Sequence, residues 1–129
     1  MSVYVPHHTP SMVQAMKLTA TAKSPLNKYN LITSYVTKNF VYDYVRAATI
    51  PKRNSLPNVD RCWRNHMGIC LDIAAMTTGM LRAVGLKATL CIGHADNNYH
   101  AWVETNIDGR IYRYDHDGKA DSYRTERRY

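Results

Sequence analysis

The sequence predicts an α+β fold, with helices in the first half and an antiparallel meander in the second. Three observations carry that prediction. Apolar residues recur at helical spacing over 25–38 and again over 70–84. The stretches LKATLCIGH and YHAWVETNI alternate between apolar and polar positions, as half-buried strands do. Asp108-Gly109, between YHAWVETNI and RIYRYDHD, is a two-residue hairpin signal. Helices first and hairpin-linked strands afterwards is the α+β order, not the alternating order of a parallel sheet.

The elements follow in chain order. Residues 1–23 form a lead-in with Pro6 and Pro10, and SMVQAMKLTATA (11–22) suits a short helix. Ser24-Pro25 is an N-cap followed by proline in the first helical position, so a helix is predicted over 25–38, burying Tyr29, Ile32 and Val36. VYDYV (41–45) reads as extended, and TIPKRNSLPN (49–58) as the main loop. Asn58 caps a short helix, VDRCWRNH, that Gly68 is expected to end. The helix over 70–84 carries Ile73, Met76 or Met80, Leu81 and Val84 on one stripe and stops at Gly85. Three strands complete the meander, and 118–129 reads as a basic tail.

The 129 residues suit a single domain and can bury roughly two-thirds of the unfolded surface. A formal charge of +7 is compatible with an acidic partner. The basic residues are scattered, with a local excess at Arg124, Arg127 and Arg128 and no basic helix stripe, so nucleic acid is not expected as a partner. Three cysteines, Cys62, Cys70 and Cys91, leave one thiol unpaired and argue against a disulfide framework. MSVYVPHHTPSMV has neither the basic nor the apolar part of a signal peptide, and no run approaches the ~20 apolar residues of a membrane span. These features fit a cytoplasmic protein or a piece of an exported one.

One short stretch carries chemistry. In NHMGICLDIAAM (65–76), Gly68 would let the chain turn sharply, and Cys70 then opens a helix. The unpaired N–H groups and the dipole there favour an anion, hence the thiolate, and could also hold an oxyanion. A free cysteine is more often a small core residue, which is the better reading of Cys62 and Cys91. A nucleophilic thiol also needs a histidine and a group that orients it. Strand alternation puts His100, Trp102 and Glu104 on one face. With a two-residue turn, Ile107 pairs with Arg110, Trp102 faces Asp115, and His100 faces Asp117. Both acids share the face of His100, and register alone does not choose between them.

GICLDIAAMTTGMLRAVGLKATLCIGH, YHAWVE and IDGRIYRYD together resemble the transglutaminase-like superfamily, small bacterial members in particular, over about residues 25–117. The resemblance implies a papain-like core, a helix-borne cysteine packed on an antiparallel sheet. It implies acyl transfer from an amide of a protein or peptide through a thioester, most simply to water and otherwise to an amine. It matches Cys70 to the nucleophile, His100 to the base and Asp115 to the acid. The family often has a tryptophan before that acid and Pro-Thr after it. Here Ile111 and Tyr112 stand in the strand and His116-Asp117 follows, which keeps Asp117 as an alternative. An upstream aromatic, Tyr35, Tyr42 or Tyr44, could add an oxyanion donor. The calcium sites of the animal enzymes have no counterpart, so no metal or cofactor is expected. The substrate groove is expected beside Trp63, Trp102 and the 49–58 loop.

Two rival readings are set beside this one. Cys62, His66 and Cys70 are spaced as one helix face and could bind zinc with His94 and His100, but Gly68 interrupts the helix and no C-x-x-C knuckle is present. A non-catalytic binding module of the same fold, holding an acidic partner by charge, is the other.

Overall fold

The computed structural model describes residues 2–51 and 54–129. Lys52 and Arg53, which fall in the expected main loop, lie outside the described residues. The architecture is α+β: among the described residues, five helices and two short paired strands precede and flank a four-stranded antiparallel sheet.

Helix α1 (Thr9–Leu18) starts earlier than the expected 11–22. The His8 side chain caps it by accepting from the Ser11 N–H, and Pro10 sits in the first turn, where its missing N–H costs nothing. Helix α2 (Pro25–Asn39) begins where the sequence places it, with Ser24 Oγ accepting from the Asn27 N–H at 3.1 Å. It buries Tyr29, Ile32 and Val36.

The expected extended run 41–45 is only partly so. Strand β1 (Val41–Tyr42) is extended, but helix α3 (Tyr44–Thr49) follows at once. The reason is Asp43, whose carboxylate accepts from the Arg46 N–H at 2.9 Å and caps a helix that the aromatic alternation concealed. Helix α4 (Val59–Asn65) has its Asn58 cap as expected. It ends on His66, in the left-handed conformation at φ 54°, and not on Gly68. Strand β2 (Met67–Gly68) then runs parallel to β1, pairing Gly68 with Tyr42.

Helix α5 (Cys70–Ala83) is the central element, with ten of its residues buried. Gly85, at φ 89°, ends it as expected. Strand β3 (Lys87–Ala95) and strand β4 (Asn98–Ile107) form the first hairpin, and strand β5 (Arg110–Tyr114) follows the Asp108-Gly109 turn. Ile107 pairs with Arg110 and Val103 with Tyr114, the register the turn dictates. The third strand stops at Tyr114, short of Asp117, because the chain bends back there, with the Gly118 N–H on the Asp115 carbonyl.

The segment 118–129, expected as a tail, supplies strand β6 (Tyr123–Arg128) on the free edge of β3. Its charge concealed an alternation in which Tyr123, Thr125 and Arg127 are half-buried. Gly93 is needed there: a β-carbon would collide with the Arg124 carbonyl oxygen. The sheet order is β5-β4-β3-β6. Ile73, Met76, Met80 and Leu81 of α5 share one core with Leu90, Ala101 and Val103 of the sheet and Ile32 and Val36 of α2. Among the described residues, no helix is long and apolar enough to cross a membrane.

Candidate active site

The position of Cys70 is set by a buried carboxylate two residues further on. Asp72 is 1% exposed. Its Oδ2 accepts from the Ile69 N–H at 3.1 Å and from Arg46 Nε at 3.0 Å, and its Oδ1 accepts from the Asn58 N–H at 2.8 Å. One side chain therefore joins the first turn of α5 to α3 and to the cap of α4. The sequence holds one signal for this role, an acidic residue at the third helical position, but its partners on α3 and α4 emerge only in the fold. Gly68 serves this junction differently from expectation. Its φ is not positive; a β-carbon would instead lie 2.9 Å from both Cys62 Sγ and Asp72 Cβ. Glycine is required by close approach, and the sharp turn is made by His66.

Cys70 is half-buried at the first position of α5, whereas Cys62 and Cys91 are buried. Burial pushes both of those thiols up to about 12. The first N–H groups of α5 have no intrahelical acceptor, so they remain available beside Cys70.

His100 lies on β4 across from this helix start. Its Nε2–H donates to Asp115 Oδ1 at 2.9 Å, and the Cys70 sulfur lies within 4.8 Å of a ring nitrogen. With Nε2 engaged, Nδ1 is the nitrogen left for sulfur. Burial of the ring opposes its charged form, but the hydrogen bond to Asp115 and the nearby Cys70 sulfur outweigh that and raise its pKa from 6.5 to about 10. Asp115 is fixed in turn: its Oδ2 accepts from the Tyr123 hydroxyl at 2.9 Å and its Oδ1 from the Asp117 N–H at 3.2 Å. Behind the pair, Trp102 stacks against His100 at 6.4 Å, meets Tyr123 edge-on and donates its Nε1–H to Glu104. Tyr123 was missed with the rest of β6.

Asp117 is exposed, and its carboxylate meets His116 Nδ1 at 3.2 Å. His116 Nε2 also donates to the Phe40 carbonyl at 2.8 Å. Two acceptors on one ring favour its doubly protonated form, and the Asp117 bond raises its pKa. Donor atoms of Cys70, His100 and Asp117 lie within 4.8 Å of one another, a spacing that could admit a metal ion. Among the described residues the zinc set of the rival reading does not converge. Cys62 is buried beneath Gly68, His66 packs on Phe40, and His94 Nδ1 pairs with Glu126.

A cleft of about 250 Å³ opens beside Cys70 and His100, walled by Tyr42, Ile50, Leu71, Ile92, Tyr99 and Arg127. The 49–58 loop borders it, as expected, through Ile50, Pro51 and Ser55. The two tryptophans do not. Trp102 is fully buried, and Trp63 packs against Phe40 and His66. Of the three tyrosines, Tyr42 lines the cleft, and burial together with the nearby Cys70 raises its hydroxyl to about 12, so it stays a donor. Tyr35 packs on Phe40, and Tyr44 is 78% exposed.

Residues 13–116 match the model of the transglutaminase-like superfamily. No curated protein matches the chain. Three solved structures are similar. A candidate protease from Parabacteroides distasonis is 22% identical, with a TM-score of 0.67 over 86% of this chain and 24% of its own. A candidate cysteine protease from Cytophaga hutchinsonii is 19% identical, with a TM-score of 0.69 over 92% of this chain and 42% of its own. A TGase is 16% identical, with a TM-score of 0.62 over 92% of this chain and 32% of its own. At these identities the likeness is one of fold, and the chain spans less than half the length of each structure.

Proposed function

The chain belongs to the transglutaminase-like superfamily, and from that premise we propose that it performs cysteine-based acyl transfer on an amide of a protein or peptide, with water as the usual acceptor. Cys70 is the nucleophile, His100 the acid and base, and Asp115 the group that orients His100. One juxtaposition supports this reading above others. His100 is hydrogen-bonded to Asp115 at 2.9 Å and has the Cys70 sulfur within 4.8 Å, at the edge of an open cleft.

The steps follow from that geometry. The imidazolium of His100 stabilises the Cys70 thiolate, which attacks the amide carbonyl carbon. The negative oxygen that forms is met by the free N–H groups at the start of α5 and by the Tyr42 hydroxyl. His100 gives its proton to the departing nitrogen, the C–N bond breaks, and a thioester remains on Cys70. Neutral His100 then takes a proton from water, which attacks the thioester. The acid product leaves and the thiol is restored. Asp115 stays ionised throughout and holds the ring and its tautomer.

The test is mass spectrometry of a glutamine- and asparagine-containing peptide library incubated with the protein and a labelled primary amine. Peptides cleaved in the backbone by wild type and none by Cys70→Ala are expected. Incorporation of the amine would move the reading to cross-linking, and glutamine-to-glutamate conversion to deamidation. No turnover together with no acyl adduct on Cys70 would overturn it in favour of a binding module.

A further inference from the structure

Resting on the reading of Cys70 as the nucleophile, we propose that the cleft takes amide substrates bearing a carboxylate, and that Arg127 is the residue that binds it. The walls are mostly apolar, with Ile50, Leu71, Ile92 and Ala101 among them. Among the described residues, no aspartate or glutamate lines the cleft, and Arg127 is the one arginine or lysine that does.

The guanidinium is oriented without being neutralised. Its Nη2 donates to the Tyr99 hydroxyl at 2.8 Å, and its Nη1 to the hydroxyls of Tyr4 and Tyr129 at 3.3 Å. The Tyr4 and Tyr129 rings stack on each other at 4.2 Å, and the guanidinium lies over both. These partners are neutral hydroxyls and ring faces. Its neighbour Arg128 is paired with Glu104 at 2.8 Å and Arg46 with Asp72 at 3.0 Å, but among the described residues no carboxylate pairs with Arg127. A guanidinium has five N–H donors, and the tyrosines take three, so two remain for a ligand. A planar guanidinium in a mostly apolar cleft suits a carboxylate, whose two oxygens match its fork.

The sheet sets the distance to the chemistry. Arg127 pairs with Ile92, and Ile92 pairs with Ala101, the residue after His100. Two strand spacings put the backbone of Arg127 about 10 Å from that of Ala101. An extended chain covers about 10 Å in roughly three residues, so the carboxylate sits within about three residues of the scissile carbonyl. An acidic side chain and a free C-terminal carboxylate share this chemistry, and the test separates them.

The probes are chloroacetylated dipeptides, in which the Cys70 sulfur displaces chloride. Chloroacetyl-Ala-Glu amide is compared with chloroacetyl-Ala-Gln amide, and chloroacetyl-Ala-Ala acid with its amide, by rate of adduct formation on Cys70 in the full chain. An acidic probe is expected to react about tenfold faster than its neutral twin, the scale of one charged hydrogen bond. Whichever pair shows the larger ratio identifies the source of the carboxylate. The ratio falls to about one in Arg127→Gln and survives Arg124→Gln, which removes the same charge from an exposed position. Arg127→Lys keeps the charge without the fork and retains a reduced ratio, which covers the case in which Arg127→Gln does not fold. Equal fast rates for acidic and neutral probes in wild type, or a ratio that persists in Arg127→Gln, would overturn the carboxylate site alone. No reaction of Cys70 with any probe would overturn the nucleophile and this inference with it.

Discussion

Asp115 and Asp117 sit two positions apart, and the carboxylate that bonds the His100 ring belongs to Asp115. The register had left both in reach, and the bend at 115–118 decides which one swings under the ring. Asp115→Asn removes the charge that steadies the imidazolium and can hold the wrong tautomer. Turnover is expected to fall on the order of 10²-fold or more, while Asp117→Asn stays within about threefold by the same measure. The reverse ordering, read by steady-state kinetics on any substrate found, would assign the acid to Asp117. His100 also predicts a pH dependence of stability. Its pKa is raised on folding, so the contribution is fully present below the unfolded value of 6.5 and is lost as pH rises towards about 10. The stability advantage of wild type over His100→Gln in urea titrations should therefore be flat below 6.5 and shrink between there and 10. An advantage that grows with pH would contradict the charged ring.

The junction of α3, α4 and α5 is where the helices set the site. Gly68→Ala pushes a methyl against Cys62 and Asp72 and is expected to cost about 1–3 kcal/mol, read as a lower melting temperature. Asp72→Ala strips the partner from Arg46 and the cap from α5, and about 3–5 kcal/mol is expected. A neutral outcome for both would show that the junction does not hold α5. The same junction marks the limit of what the sequence disclosed. Helix α2, helix α5 and the hairpin at Asp108-Gly109 each have a strong local signal, a cap with proline, a long apolar stripe or a two-residue turn. So do Cys70 and His100, which follow from a helix start and a strand. Helix α3 is only six residues long and its cap, Asp43, sits inside an alternating aromatic run, so local pattern pointed to a strand. Strand β6 is mostly charged on its exposed face, and only its partner β3 reveals what it covers. Asp72 and Arg127 gain their roles from residues 14 or more positions away, and Tyr123 from Asp115 across an eight-residue bend, contacts that no local pattern encodes.

Across the whole molecule the last residues complete the site. Tyr123 positions Asp115, and Arg127 lines the cleft. We propose that residues 1–129 form one cooperative unit. A single unfolding transition by circular dichroism and by tryptophan fluorescence is expected, and a chain ending at residue 117 should melt well below the full chain. Two separated transitions, or an unchanged melting temperature on truncation, would contradict a single unit that includes β6. The three thiols, spread over α4, α5 and β3, offer the most direct test of the central claim. The measurement is the alkylation rate of each cysteine against pH, read by peptide mass spectrometry, in wild type and His100→Ala. Cys70 should react much faster than the other two and lose that advantage without His100. Cys62 and Cys91, buried and pushed up to about 12, should lag throughout. A Cys70 no faster than the other two, or one indifferent to His100, would contradict the thiolate–imidazolium pair.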